Sequence, residues 1–171
     1  MIMRLFCASV LLFCLLSPGC VVPSGVSPGS PSETAPGEVG FELAGPNEAA
    51  IVVPVKVNGQ GPYDFVLDTG ATFTCVDRAL AEELKLPEWS GPLGTVVLTP
   101  GEGGMKLVEI DALEVGGGPR ASDLVACSID LSRMQPPGFG VRGLVGLNFL
   151  KNYRVTIDFE RKSLRLEKPG P

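Results

Sequence analysis

Histidine is absent from all 171 residues. Ser–His–Asp and Cys–His relays and histidine-ligated zinc sites are therefore excluded, because each needs an imidazole to carry a proton or bind the metal. No Cys-X-X-Cys pair and no phosphate-binding Gly-X-X-X-X-Gly-Lys loop occurs either. Basic charge is thin and scattered: 14 Lys and Arg stand against 19 Asp and Glu, for a net charge of −5. A chain without a basic cluster has no electrostatic footprint for a polyanion, so no nucleic-acid partner is expected. What remains is the chemistry of carboxylates and water, with no metal and no cofactor expected.

With 44% hydrophobic residues the chain is long enough for one core and short for two. Its 22 glycines and 16 prolines, set between aliphatic and β-branched runs, argue for many short strands and turns and against a helical bundle. Residues 1–20 read as a signal segment: Arg4 is followed by the apolar stretch Leu5 to Leu16 and then Ser17-Pro18-Gly19-Cys20. Cys20 after Gly19 reads as a bacterial lipoprotein site whose cysteine is lipidated. Ser17, however, stands where that signal usually has leucine. Residues 21–40 are rich in Pro, Ser and Gly and read as a flexible tether, leaving 41–168 as the folded domain. A secreted or envelope-associated location, with lipidated Cys20 as a membrane anchor, is the expectation. Of five cysteines, only Cys75 and Cys127 then belong to the folded part. An oxidising compartment would let them pair, but separate burial as small apolar side chains is the preferred reading.

Along the folded part, Ala50 to Val57 reads as a strand that turns at Asn58-Gly59 into a second strand, Tyr63 to Leu67. Phe73 to Val76 reads as a third. Asp77 is placed to cap a short helix from Arg78 to Leu84, which Lys85 and Pro87 help to end. Thr95 to Thr99 and the glycine-rich Pro100 to Gly104 suggest a hairpin. Strands are expected over Lys106 to Val115 and Asp123 to Asp130, parted by Gly116-Gly117-Gly118-Pro119. A closing hairpin is expected from Tyr153 to Phe159 and Ser163 to Leu166. Gly138, Gly140 and Gly143 spell a dinucleotide-like Gly-X-Gly-X-X-Gly, but Pro136-Pro137 opposes the strand that such a loop must follow.

The most telling stretch is Asp68-Thr69-Gly70-Ala71, between the apolar runs Phe65-Val66-Leu67 and Phe73-Thr74-Cys75-Val76. It places a carboxylate at a tight bend at the end of a strand, where Gly70 is expected to supply backbone angles that other residues resist. About eighty positions on comes Gly143-Leu144-Val145-Gly146-Leu147-Asn148-Phe149-Leu150. Together with the Val57 to Pro62 turn, Leu113 to Gly117 and Val155 to Phe159, these segments resemble the retropepsin-like aspartic peptidases, in order, over residues 50 to 167. The resemblance implies an all-β fold: a single acid-protease lobe, a closed β-barrel with a ψ-loop and one or two short helices.

The same resemblance implies what the residues do. Asp68 is the catalytic acid; Thr69, Gly70 and Ala71 support the loop, Thr69 by bracing it against a partner loop. Gly143, Leu144, Val145 and Gly146 form the ψ-strand that packs beside it, Gly146 allowing the close approach. Residues 91–106 correspond to a flap over polypeptide substrate. Cys75 falls on the strand leaving the catalytic loop and Cys127 on the strand before the second motif. Since one chain carries one Asp-Thr-Gly, activity as an aspartic endopeptidase requires a homodimer that pairs two Asp68 carboxylates. The alternative is a catalytically silent lobe that serves as a peptide-binding or structural envelope module. Where retroviral members carry Asp and Arg near the dimer base, this chain has Thr72 and Leu147, so the interface need not be theirs. Asp64, Asp111, Asp130 and Asp158 lack the Thr-Gly context and read as strand-end or turn residues.

Overall fold

A computed structural model describes residues 37–92, 105–132 and 140–170. The expected signal segment, Cys20, residues 21–36 of the tether, the tip of the expected flap and the proline loop with Gly138 lie outside the described residues. The strands are β1 Glu38–Gly40, β2 Glu42–Ala44, β3 Ala50–Val57, β4 Gln60–Leu67, β5 Cys75–Asp77, β6 Lys106–Val115, β7 Arg120–Ile129, β8 Gly143–Val145, β9 Arg154–Asp158 and β10 Ser163–Glu167. Two short helices accompany them, α1 Arg78–Glu83 and α2 Leu147–Leu150.

Alternation in β3 shows why these segments become strands. Val53, Val55 and Val57 point inward and are fully buried, while Pro54 and Lys56 face out. Phe65 of β4 enters the same core, as do Val76, Ile110 and Val145 from β5, β6 and β8. The hydrogen-bonded order β3-β4-β8-β5-β7-β6 closes on itself through antiparallel β6–β3 pairing, which makes a six-stranded barrel. Closure leaves no free edge within the ring. The all-β single-lobe expectation holds.

The ring contains the crossing that matters for the site. Strand β8 lies between β4 and β5, parallel to β4 with Leu67 opposite Val145, and antiparallel to β5 with Cys75 opposite Leu144. Two segments that flank the Asp68 loop are thus held apart and aligned by one short strand from far along the chain. A side chain at Gly143 would place its Cβ 2.2 Å from Phe65 Cε1 and 2.5 Å from the Cys75 carbonyl oxygen. Only glycine lets β8 enter that slot.

Three expectations change. The tether ends before residue 40: β1 pairs with β10 and buries Val39, an apolar anchor at the end of a stretch rich in Pro, Ser and Gly. Asp77 stands at the N-cap of α1 but makes no side-chain cap bond; its Oδ1 instead accepts from Leu131 N at 3.1 Å, tying the helix start to the end of β7. Cys75 and Cys127 are joined in a disulfide. The physical reason is register, because parallel β5–β7 pairing sets them directly opposite, with Cα atoms 4.3 Å apart. Around the disulfide lies a second apolar cluster on the outer face of the barrel, with Leu107, Phe73, Leu144, Val125, Trp89 and Met105.

The bridge closes a sequence separation of 52 residues, for which the chain-entropy model gives about 4 kcal/mol. We expect Cys75→Ala/Cys127→Ala to lower the unfolding free energy by about 2–4 kcal/mol. Urea titration of the double variant and the oxidised protein checks this.

Candidate active site

Strand β4 delivers Asp68 at its last rung. Asp68 N donates to Val145 O at 3.0 Å, extending the parallel β4–β8 ladder by one bond. The chain then turns: Gly70 N donates to Asp68 Oδ1 at 2.8 Å and Ala71 N to Asp68 O at 3.3 Å. This is a local side-chain-to-backbone turn of the kind aspartate favours. Asp68 is half-buried, and Thr69 and Gly70 are exposed.

Gly70 does not supply the unusual backbone angles expected of it, since its φ lies outside the left-handed region. Its value is room. A Cβ there would sit 3.2 Å from Asp68 Oδ1, crowding the oxygen to which its own N–H is bonded.

The rest of the loop is held by the segment that follows β8. Leu147 N donates to Ala71 O at 2.8 Å and Asn148 N to Thr72 O at 3.1 Å. Gly146 N donates to Thr74 Oγ1 at 3.2 Å. A Cβ on Gly146 would lie 2.3 Å from Phe73 O and 2.7 Å from Thr74 N, so the expected close approach of this glycine to the loop is a matter of backbone meeting backbone. Asp68, Thr69, Gly70 and Ala71 are therefore brought beside Gly143, Leu144, Val145 and Gly146 in one site.

Thr74 and Asn148 are the two site residues that sequence reading did not single out. Thr74 is fully buried and uses three polar atoms: its N donates to Asn148 Oδ1 at 2.7 Å, its O accepts from Cys127 N at 2.8 Å, and its Oγ1 accepts from Gly146 N. Asn148 also donates from Nδ2 to Val125 O at 2.7 Å. The available signal was a lone amide within the apolar run Leu144 to Leu150. Elsewhere, Asp130 Oδ1 accepts from Ser132 N at 2.9 Å and Asp158 Oδ1 from Arg161 N at 2.9 Å, while Asp64 and Asp111 are exposed on strands. Gly143 lies in β8 and not at the mouth of a helix, which disposes of the dinucleotide pattern.

A strand-end aspartate in a turn, braced by a glycine-bearing strand from far along the chain, is the arrangement of a retropepsin-like single-lobe aspartic protease. Residues 53–149 match the aspartyl protease family, and the chain belongs to it. Among solved structures it is similar to a retropepsin-like aspartic protease from Rickettsia conorii, at 17% identity and TM-score 0.47, over 76% of this chain and 89% of that one. It is also similar to the retroviral protease-like domain of Ddi1 from Leishmania major, at 14% identity and TM-score 0.44, over 71% and 94% of the two chains. Basic 7S globulin from soybean aligns at 11% identity and TM-score 0.41, over 78% of this chain and 43% of that one. No curated protein matches.

Removing the Thr74 hydroxyl while keeping its shape isolates the brace. Thr74→Val leaves the Gly146 N–H unpaired in a buried place, and we expect a loss of about 1–3 kcal/mol, with Thr74→Ser recovering most of it. Chemical denaturation of the two variants side by side checks the difference.

Proposed function

We propose that this protein is an aspartic endopeptidase that hydrolyses polypeptide by activated water, and that it works as a homodimer pooling two Asp68 carboxylates. The observation that carries the reading is the Asp68 turn itself: a half-buried carboxylate at the lip of the barrel, its loop held from both sides, with exposed Thr69 and Gly70 beside it. A purely structural turn has no need of this bracing around an accessible acid.

In the dimer, one carboxylate takes a proton from water as the water oxygen attacks the scissile carbonyl carbon. The other, protonated, polarises the carbonyl oxygen by hydrogen bonding. The two acids hold a single proton between them because like charges so close do not both ionise readily. Collapse of the tetrahedral intermediate breaks the C–N bond as the nitrogen receives a proton from a carboxyl group, freeing acid and amine. No covalent enzyme intermediate and no cofactor take part.

One feature supports pairing through the loop face. Leu147, whose N–H holds Ala71 O, is 41% exposed, a large apolar side chain beside the Asp68 loop. It would pack against a second copy. In the cell, we propose that residues 1–20 direct export, that lipidated Cys20 anchors the protein to a membrane, and that the segment after it holds the lobe clear of the surface. That places proteolysis in the envelope.

Asp68→Asn should lower cleavage of a diverse peptide mixture at least about a hundredfold, as followed by mass spectrometry. Equal cleavage by both proteins would remove Asp68 from the mechanism. A strict monomer that still retains peptides, with retention indifferent to Asp68→Asn, would make the lobe a binding module instead. Leu147→Glu should shift the protein toward monomer in sedimentation and reduce specific activity, with activity recovering as concentration rises.

A further inference from the structure

We infer that Asn148 is a positioning residue for the catalytic loop, its carboxamide setting where the loop ends and hence how Asp68 is presented. The inference rests on Asp68 being the catalytic acid, and the geometry behind it does not. The loop has two ends, and one segment of chain holds both. At the entry, Val145 O accepts from Asp68 N. At the exit, Asn148 Oδ1 accepts from Thr74 N at 2.7 Å while Nδ2 donates to Val125 O in β7 at 2.7 Å. Between them Leu147 N and Asn148 N hold Ala71 O and Thr72 O. Asn148 thus makes contact with the loop through both its backbone and its side chain.

The demand at this position is chemically narrow. An amide N–H on one side and a carbonyl oxygen on the other require a short planar head that accepts and donates at once, and the two partners also fix which end of the amide is which. Leucine would fill the space but strand the N–H of Thr74, a residue with no exposed surface. A carboxylate satisfies Thr74 N but turns a charged oxygen toward Val125 O. A protonated carboxyl, with one oxygen accepting and one O–H donating, restores both bonds. Displacing Thr74 pulls on Thr72 and Ala71, whose N–H is bonded to Asp68 O. A small shift of that kind is felt in turnover, because reacting groups out of place by about 1 Å can cost up to a hundredfold.

The test is Asn148→Asp beside Asn148→Leu, each read per folded molecule. We expect Asn148→Leu to lower kcat about tenfold at every pH with KM within about twofold. Asn148→Asp should show the same deficit where the introduced carboxyl is ionised and return toward wild type as the pH falls and it protonates. An activity-free readout runs in parallel: the amide resonances of Gly70 and Ala71 in Asn148→Asp should follow a pH transition absent from wild type. A role confined to stability would lower the folded fraction and leave kcat per folded molecule and this transition untouched. Unchanged kcat in Asn148→Leu, or resonances of Asn148→Asp that track wild type throughout, would overturn the inference while Asp68-dependent cleavage still stood. If wild type cleaves nothing, the peptidase reading falls and the resonances alone decide whether Asn148 positions the loop.

Discussion

Two missing side chains make the rest of this lobe possible. At Gly143 and again at Gly146, the chain passes so close to the segments entering and leaving the Asp68 loop that a Cβ would fall 2.2–2.3 Å from Phe65 Cε1 or Phe73 O. The contact is stiff because neither side can yield: on one side is backbone in a closed barrel, on the other a loop with its polar groups already committed. A carboxylate at a strand end is ordinarily mobile. Here it is a fixed point, because the wall behind it is main chain packed on main chain.

Polar bonding then converts proximity into orientation. Polar groups of residues 68, 71, 72 and 74 are bonded by residues 145 to 148, and Thr74 commits its backbone N–H to Asn148 of α2, its carbonyl to Cys127 of β7 and its hydroxyl to Gly146. The disulfide follows one residue later, joining β5 to β7 beside the bridge that Asn148 makes from Thr74 to Val125. Covalent and amide ties therefore converge where β5 begins beside β7, and the Thr74 hydroxyl adds a tie to Gly146. Such concentration keeps the loop ordered in a small lobe whose main core lies on the other face of the sheet.

How much of this was legible beforehand depended on range. Strands β3, β4, β6 and β7 and helix α1 follow from local alternation, glycine punctuation and apolar spacing, while α2 was expected only through the family resemblance. Asp68 declared itself through its bend and flanks. Gly146 was read for its true purpose because its motif carries the family's pairing of strands. Gly70 was read wrongly: a glycine after aspartate and threonine invites a left-handed turn, whereas the need was for space near Oδ1. Asp77 looked like a helix cap by position, yet Leu131 N, from 54 residues away, wins its oxygen. Val39 was hidden within a stretch whose average composition is that of a linker.

The sequence by itself narrowed the chemistry open to this protein, since a chain with no imidazole excludes histidine relays and histidine-ligated metal sites and its one Asp-Thr-Gly offers a carboxylate at a bend. It also determined which segments extend and where they turn, because those choices depend on neighbours a few residues away. Only tertiary structure decided that Cys75 faces Cys127 and that Asn148 spans Thr74 and Val125. Each of these is a contact set by strand register across the closed barrel, and register depends on all the strands of the ring at once.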